Sequence, residues 1–263
     1  MPYSWTAARV CSSFISTNSV TSAGATLKSE VANSYLNWLW WILDPLCFML
    51  IYTLIFGYVF NSREAYFPVF IFIGLAMWDF TNKTLLASVK VVKLNKAIVS
   101  RVYFPKYILP LSKVWINGFK MMISFGVVVV MMLFYRITPT WNILFFIPII
   151  LTLGLLVFGC ACFLMHYGVY VEDLSNVLNV VLRFVFYATG IFYDVSSKIP
   201  QYGQLLNQIN PVAFLISAMR ESLIFGKTPN CLLLLGWFVF SVLLSLAGVH
   251  KIYRSENSYV KAI

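Results

Sequence analysis

The chain has 263 residues, 60% of them hydrophobic and 11% charged, with a mean hydropathy of +0.83. So few charges cannot cover that much apolar side chain in water, which excludes a soluble globular domain. The formal charge of +10 then reads as orientation in a membrane and contact with anionic lipid, not as a nucleic-acid footprint.

A hydrocarbon layer of about 30 Å takes roughly 20 apolar helical residues per crossing. Backbone polar groups in lipid must bond to one another, so spans are helices or closed barrels. The apolar runs are long and do not alternate, which favours helices. Residues 1–26 hold no apolar core long enough for a cleavable signal, and 1–35 reads as a cytoplasmic or interfacial segment. The first span, about 36–60, opens with Trp38, Trp40 and Trp41 as an interfacial belt. Tyr52, Phe56, Tyr58 and Phe60 continue along it.

The second span, about 66–88, contains Asp79 and Lys83, four apart on one helix face. A lone charge at the bilayer centre costs roughly 2.5–3.5 kcal/mol on insertion scales, and pairing lowers that cost. The pair reads either as helix packing or as polar lining for a hydrophilic substrate or ion. Lys113, Lys120 and Arg183 add cations but no further buried carboxylate.

Residues 90–110, "KVVKLNKAIVSRVYFPKYILP", carry Lys90, Lys93, Lys96, Arg101 and Lys106 and no acid. The third span follows at about 107–135 and the fourth at about 141–168. Cys160, Cys162 and His166 lie on the fourth, and they read as small core residues plus one hydrogen-bonded imidazole, since further metal ligands are lacking. Glu172 and Asp173 precede the fifth span, about 174–194; there they suit a helix N-terminus and could meet a basic partner surface. That span carries Phe184, Phe186, Tyr187, Phe192 and Tyr193. Most aromatics read as belt and core, and a subset could offer faces over which sugar rings slide.

Residues 195–230 are not a further crossing. "VAFLISAMRESLIFG" is short and holds Arg220 and Glu221; Asn210-Pro211 makes a turn before it and Pro200 opens the preceding segment. Two short re-entrant or interfacial helices are expected. "FGKT" at 225–228 lacks the glycine that a phosphate-binding loop needs at position 221. The sixth span is about 231–250. Six spans put both termini on one side. That side collects ten basic residues: Arg9, Lys28, the five of the basic stretch, Lys251, Arg254 and Lys261. The other side holds Arg63, Arg136, Lys198, Arg220 and Lys227, so both ends are expected in the cytoplasm.

In this order, "SYLNWLWWILDPL", "NKAIVSRVYFPKYILPLSKV", "VYVEDLSNVLNVVLRFVFYATGIFY" and "IPQYGQLLNQINPVAFLISAMRESLIFG" resemble the membrane subunit of bacterial ABC-2 type polysaccharide exporters. The resemblance covers roughly residues 27–252. It implies an all-α polytopic membrane protein, one transmembrane domain over 1–263, in the bacterial cytoplasmic (inner) membrane. It implies a homodimer bound to two copies of a separate ABC ATPase, in contact with membrane lipid and a lipid-linked glycan. This chain would bind no cofactor, ATP and Mg being held by the partner. A coupling helix at about 91–103 would bring Lys93, Leu94, Asn95, Lys96 and Arg101 to the ATPase, with Glu172 and Asp173 as a second contact. Spans one and five of the two copies would line the channel, with Tyr52, Phe56, Asp79, Lys83, Phe184, Tyr187 and Tyr193 as lining candidates. Gln204, Asn210, Arg220 and Glu221 would belong to an outer gate. The family usually has Gly where Asn37 stands, Asn where Asp44 stands and Arg-Asp where Glu172-Asp173 stands.

The expected function is the permease of an ATP-driven exporter of O-antigen, capsule or teichoic acid type glycan. A drug or lipid permease of the same type is the alternative. A membrane-embedded transferase would need clustered carboxylates or a His/Asp constellation, which nine acids and two histidines spread along the chain do not offer; a passive channel or scaffold is a further reading.

Overall fold

The computed structural model describes residues 37–59, 66–99, 105–192 and 208–262. The N-terminal segment 1–35, the first of the two expected outer helices, and the candidates Arg101, Tyr193 and Gln204 lie outside the described residues. Within them every regular element is helical. The elements are α1 (Asn37–Tyr52, continued by a π-helical stretch Thr53–Val59), α2 (Phe67–Leu94), the single turn α3 (Lys96–Val99) and α4 (Ile108–Phe134). A 3-10 turn (Trp141–Phe145) leads into α5 (Phe146–Tyr170), then α6 (Leu174–Ala188), α7 (Pro211–Leu223) and α8 (Cys231–Ala262). Among the described residues, five helical stretches are long and apolar enough to cross a membrane: Leu39–Gly57, Phe67–Leu94, Ile108–Phe134, Trp141–Tyr170 and Cys231–Glu256. The chain is an all-α polytopic membrane protein.

α2 is the central helix. Its most apolar window is 78% buried, against 11–39% for the other four, and it packs against α1, α4, α5, α6 and α7. Pro68 starts it without costing an intrahelical bond, and Asn95 ends it: the Asn95 side-chain amide donates to the Val91 carbonyl at 2.7 Å. The helix therefore outruns the expected limit at 88, and Lys90 and Lys93 stand on its last turns instead of in a loop.

The fifth expected span is the short one. α6 has 15 residues and rises about 22 Å. It ends at Ala188 because Gly190 follows with φ 69°, the left-handed conformation that closes helices and that glycine adopts without a Cβ clash. Beyond it Phe192 folds back onto α1. α7 is buried along most of its length. Asn210 caps it, accepting from the backbone N–H groups of Val212 and Ala213 at 3.1 and 3.3 Å, with Pro211 at the first helical position.

Hydrophobic burial does not drive helix pairing in lipid, so close packing and hydrogen bonds decide it. α5 and α8 meet through small residues. A Cβ on Gly159 would lie 2.9 Å from the Ser245 nitrogen, and one on Gly248 would lie 2.8 Å from the Cys162 Cβ. Ser245 Oγ donates to the Leu155 carbonyl at 2.8 Å across that seam. On α4, Asn117 donates to Thr84 Oγ1 of α2 at 3.0 Å. Hydroxyls not used between helices turn back on their own, as Thr81 does to Met77 O and Ser88 to Thr84 O.

Arg220 of α7 is 4% exposed. Nε donates to Phe70 O at 3.0 Å, Nη1 to Gly190 O at 3.0 Å and Nη2 to Ile191 O at 2.8 Å, with the guanidinium carbon 3.6 Å over the Phe70 ring. A Cβ on Gly74 would lie 2.5 Å from Nη2, so glycine is required there for the arginine to reach α2. Arg220→Lys keeps a positive charge but cannot make this three-way fork. It should lower unfolding stability in lipid-detergent mixtures by about 3 kcal/mol, and Gly74→Val should reproduce most of the loss; wild-type stability in both would refute the clamp.

Candidate functional site

Two ends and a middle can be distinguished. At one end, α2 finishes, α4 begins, α5 finishes and α8 finishes. Lys93 Nζ lies 3.9 Å from Glu172 Oε1, joining the last turn of α2 to the loop before α6. Leu94 is 77% exposed, Asn95 is the cap, and Lys96 opens α3. Glu172 and Asp173 are exposed; the Asp173 carbonyl accepts from the N–H groups of Asn176 and Val177, so the acidic pair sits at the positive end of the α6 dipole.

Under this surface lies a second core of Val91, Val92, Val99, Cys162, Met165, Val169, Ile252 and Tyr259. It is braced by two polar pairs, of which sequence reasoning anticipated only the hydrogen-bonded imidazole and neither partner. Lys106 and Glu256 are 5% and 7% exposed at their side chains, with Nζ 3.4 Å from Oε1, and the Lys106 backbone N–H donates to the same oxygen at 3.3 Å. His166 Nδ1 is 2.8 Å from the Tyr259 hydroxyl, which confirms the hydrogen-bonded imidazole. Burial raises the Tyr259 phenol above its ordinary pKa, so it stays protonated and can donate to the ring. α8 runs twelve residues past the expected limit at 250, and this extension carries both Glu256 and Tyr259. Glu256, an acid one and a half turns beyond Lys251, was the available signal.

In the middle, between α1, α2 and α4, is a cavity of about 320 Å³ lined by Trp40, Trp41, Asp44, Asp79, Lys83, Asn117, Lys120 and Ser124, among others. Lys83 Nζ is 2.8 Å from Asp79 Oδ2 and 3.6 Å from Asp44 Oδ2. The side chains of Asp44, Asp79 and Lys83 are between 41% and 50% exposed. Asp44, on another helix, completes a triad with Asp79 and Lys83; half exposed, it is not a further buried carboxylate. Its signal was an acid just before Pro45 inside an apolar span. Pro45 donates no backbone hydrogen bond, which loosens α1 beside the cavity. Lys120 Nζ stands 5.0 Å from the Trp41 ring centroid.

Asp44 and Asp79 also wall an adjoining recess of about 190 Å³ with Phe48, Tyr52, Trp78, Asn82 and Phe186. Beyond it runs an aromatic seam joining α1, α2 and α6. Tyr52 and Phe56 meet Phe192 at 4.6 and 4.4 Å between ring centroids, and Trp78 meets Phe186 at 5.5 Å. Of the lining candidates, Tyr52 and Phe56 are therefore half-buried in this seam, while Phe184 and Tyr187 are 76% and 64% exposed on α6. At the far end, Asn210 donates to Thr189 Oγ1 at 3.4 Å as well as capping α7. Arg220 is a buried clamp, and Glu221 is half-buried beside it on α7. "FGKT" follows a helix and turns at Gly226, φ 61°, in no phosphate-loop setting. Among the described residues no cluster of His, Cys, Asp and Glu could hold a metal ion.

A family model described as ABC-2 type transporter matches residues 21–224. An O-antigen export system permease protein, RfbA, of Myxococcus xanthus is 26% identical over 232 residues, covering 88% of this chain and 89% of that protein. A Klebsiella pneumoniae protein of the same name is 28% identical over 197 residues, covering 74% and 75%. The polysialic acid transport protein KpsM of Escherichia coli is 24% identical over 252 residues, covering 88% and 90%.

Removing one member of the Lys106–Glu256 pair strands a buried charge. Glu256→Met alone should cost about 3–5 kcal/mol of stability. The double variant Lys106→Met/Glu256→Met should recover most of it, read as the midpoint of thermal unfolding in detergent. Equal losses in the single and double variants would show that a stranded Lys106 charge is not the source of the loss.

Proposed function

Because the chain belongs to the ABC-2 type transporter family, we propose that it is the permease subunit of an ATP-driven exporter carrying a lipid-linked polysaccharide across the bacterial cytoplasmic membrane. O-antigen, capsule and teichoic acid are the glycan types in view. The observation that carries this reading is end-to-end similarity to an O-antigen export permease, over 88% of this chain and 89% of that protein. The working unit is two copies of this chain with two ATPase subunits, which bind the ATP and Mg. Both termini face the cytoplasm.

The geometry supplies a route for the coupling. The Lys93–Glu172 end, with exposed Leu94 and with Lys96, is the surface that seats on the ATPase. α2 carries displacement from it, since a continuous helix of 28 residues rises about 42 Å. At its far end Phe70 is held by Arg220, which also holds the carbonyls that follow α6. A push at the basic end therefore reaches α6 and α7 together. ATP shifts the permease between two states only in so far as the ATPase binds them unequally. Aromatic faces on α1 and α6 suit a glycan, because ring faces attract the polarised C–H groups of a sugar.

Co-expression with a candidate ATPase and purification through a tag on this chain tests the assignment. A two-plus-two complex with ATPase activity, and loss of surface glycan on deletion of the permease, are the expected results; no complex and unchanged surface glycan would overturn it. Lys93→Glu/Lys96→Glu should reduce ATPase co-purification about tenfold, some 1.4 kcal/mol, while the chain still inserts. Undiminished co-purification would remove those lysines from the coupling surface.

A further inference from the structure

We propose that the cavity between α1, α2 and α4 is a sugar-binding subsite selective for uncharged glycan, a reading that rests on the export function above. Intramembrane ionisable groups are costly and need a reason. Here three of them meet at mid-height of α2 with polar side chains still half open to a cavity, whereas the hydroxyls of Thr81 and Ser88 on the same helix are bonded back to it. A structural ion pair alone needs no such opening. At about 320 Å³ the cavity falls at the lower end of small-molecule sites, with room for a sugar ring.

The lining has both parts that sugar recognition requires. The indoles of Trp40 and Trp41 offer flat apolar faces, and Asp44, Asp79, Lys83 and Asn117 offer acceptors and donors around them. A sugar hydroxyl both donates and accepts, so it can bridge a carboxylate and an ammonium without separating them. The formal charges of Asp44, Asp79, Lys83 and Lys120 cancel. An anionic sugar brings charge that this lining does not need, and it would have to compete with two carboxylates for Lys83 at 2.8 and 3.6 Å. A neutral sugar leaves both of those contacts in place. The subsite therefore discriminates between neutral and acidic glycans, with Asp44 as the residue that sets the balance.

The test uses the full chain, co-purified with its ATPase and placed in lipid nanodiscs. Saturation-transfer NMR compares a neutral mannose oligosaccharide with a sialic acid oligosaccharide of equal length. Transfer to the neutral probe alone is expected, weakened roughly fivefold by Trp41→Ala and unaffected by Trp141→Ala, a residue 91% exposed outside the cavity. Asp44→Asn removes one negative charge and should let the sialic acid probe bind, a gain that misfolding cannot produce. An exporting wild-type complex that transfers to neither probe, or equally to both, or whose preference ignores Asp44→Asn, would overturn the subsite and leave the export function standing. Failure of the wild-type complex to assemble and export would overturn both.

Discussion

Backbone carbonyls that lose their helical partners inside a membrane have no water to turn to, and the Arg220 guanidinium answers that constraint at the most broken place in this protein. α6 ends at Ala188, Gly190 follows with φ 69°, and the carbonyls of Gly190 and Ile191 stand outside any helical ladder in an apolar setting. One side chain satisfies both and takes a third anchor on α2 at Phe70. The rest of that end follows from it. Gly74 must lack a Cβ, α7 must lie buried against α2, and Phe192 is set back against Tyr52 and Phe56. An arginine that composition alone would place among surface charges is thereby the link between a central helix and two short ones.

The opposite end uses a different device. There, α2, α4, α5 and α8 are joined by pairs from distant sequence: Lys93 with Glu172, Lys106 with Glu256, His166 with Tyr259. Between the two ends α2 is one continuous helix, its most apolar window 78% buried. Small-residue contacts between α5 and α8 keep that side rigid, while α1, interrupted by Pro45 and finishing in a π-helical stretch, is the least enclosed span. The polar cavity has this least enclosed helix as one wall and α2 and α4 as the others.

Much of this was legible in the sequence. Apolar run length gave the long helices, Asn210-Pro211 gave the start of α7, and the Asp79–Lys83 spacing gave their contact, because each depends on neighbours in the chain. What was missed depends on neighbours in space. Nothing near Asp44 reports that Lys83 will stand beside it, and nothing near Lys106 points 150 residues on to Glu256. Gly190 was a local signal that an otherwise apolar run concealed, so α6 was expected to extend to 194. Arg220 was counted as an outer-face charge because its three acceptors are backbone atoms, which carry no residue identity to read.

The shortness of α6 has a consequence for the channel wall. A helix rising about 22 Å falls short of a hydrocarbon layer of about 30 Å, and it does so with Val180, Phe184 and Tyr187 turned outward. On the proposed export reading that face turns to the channel and not to acyl chains. The shortfall of about 8 Å is then a stretch of channel wall that α6 itself does not supply.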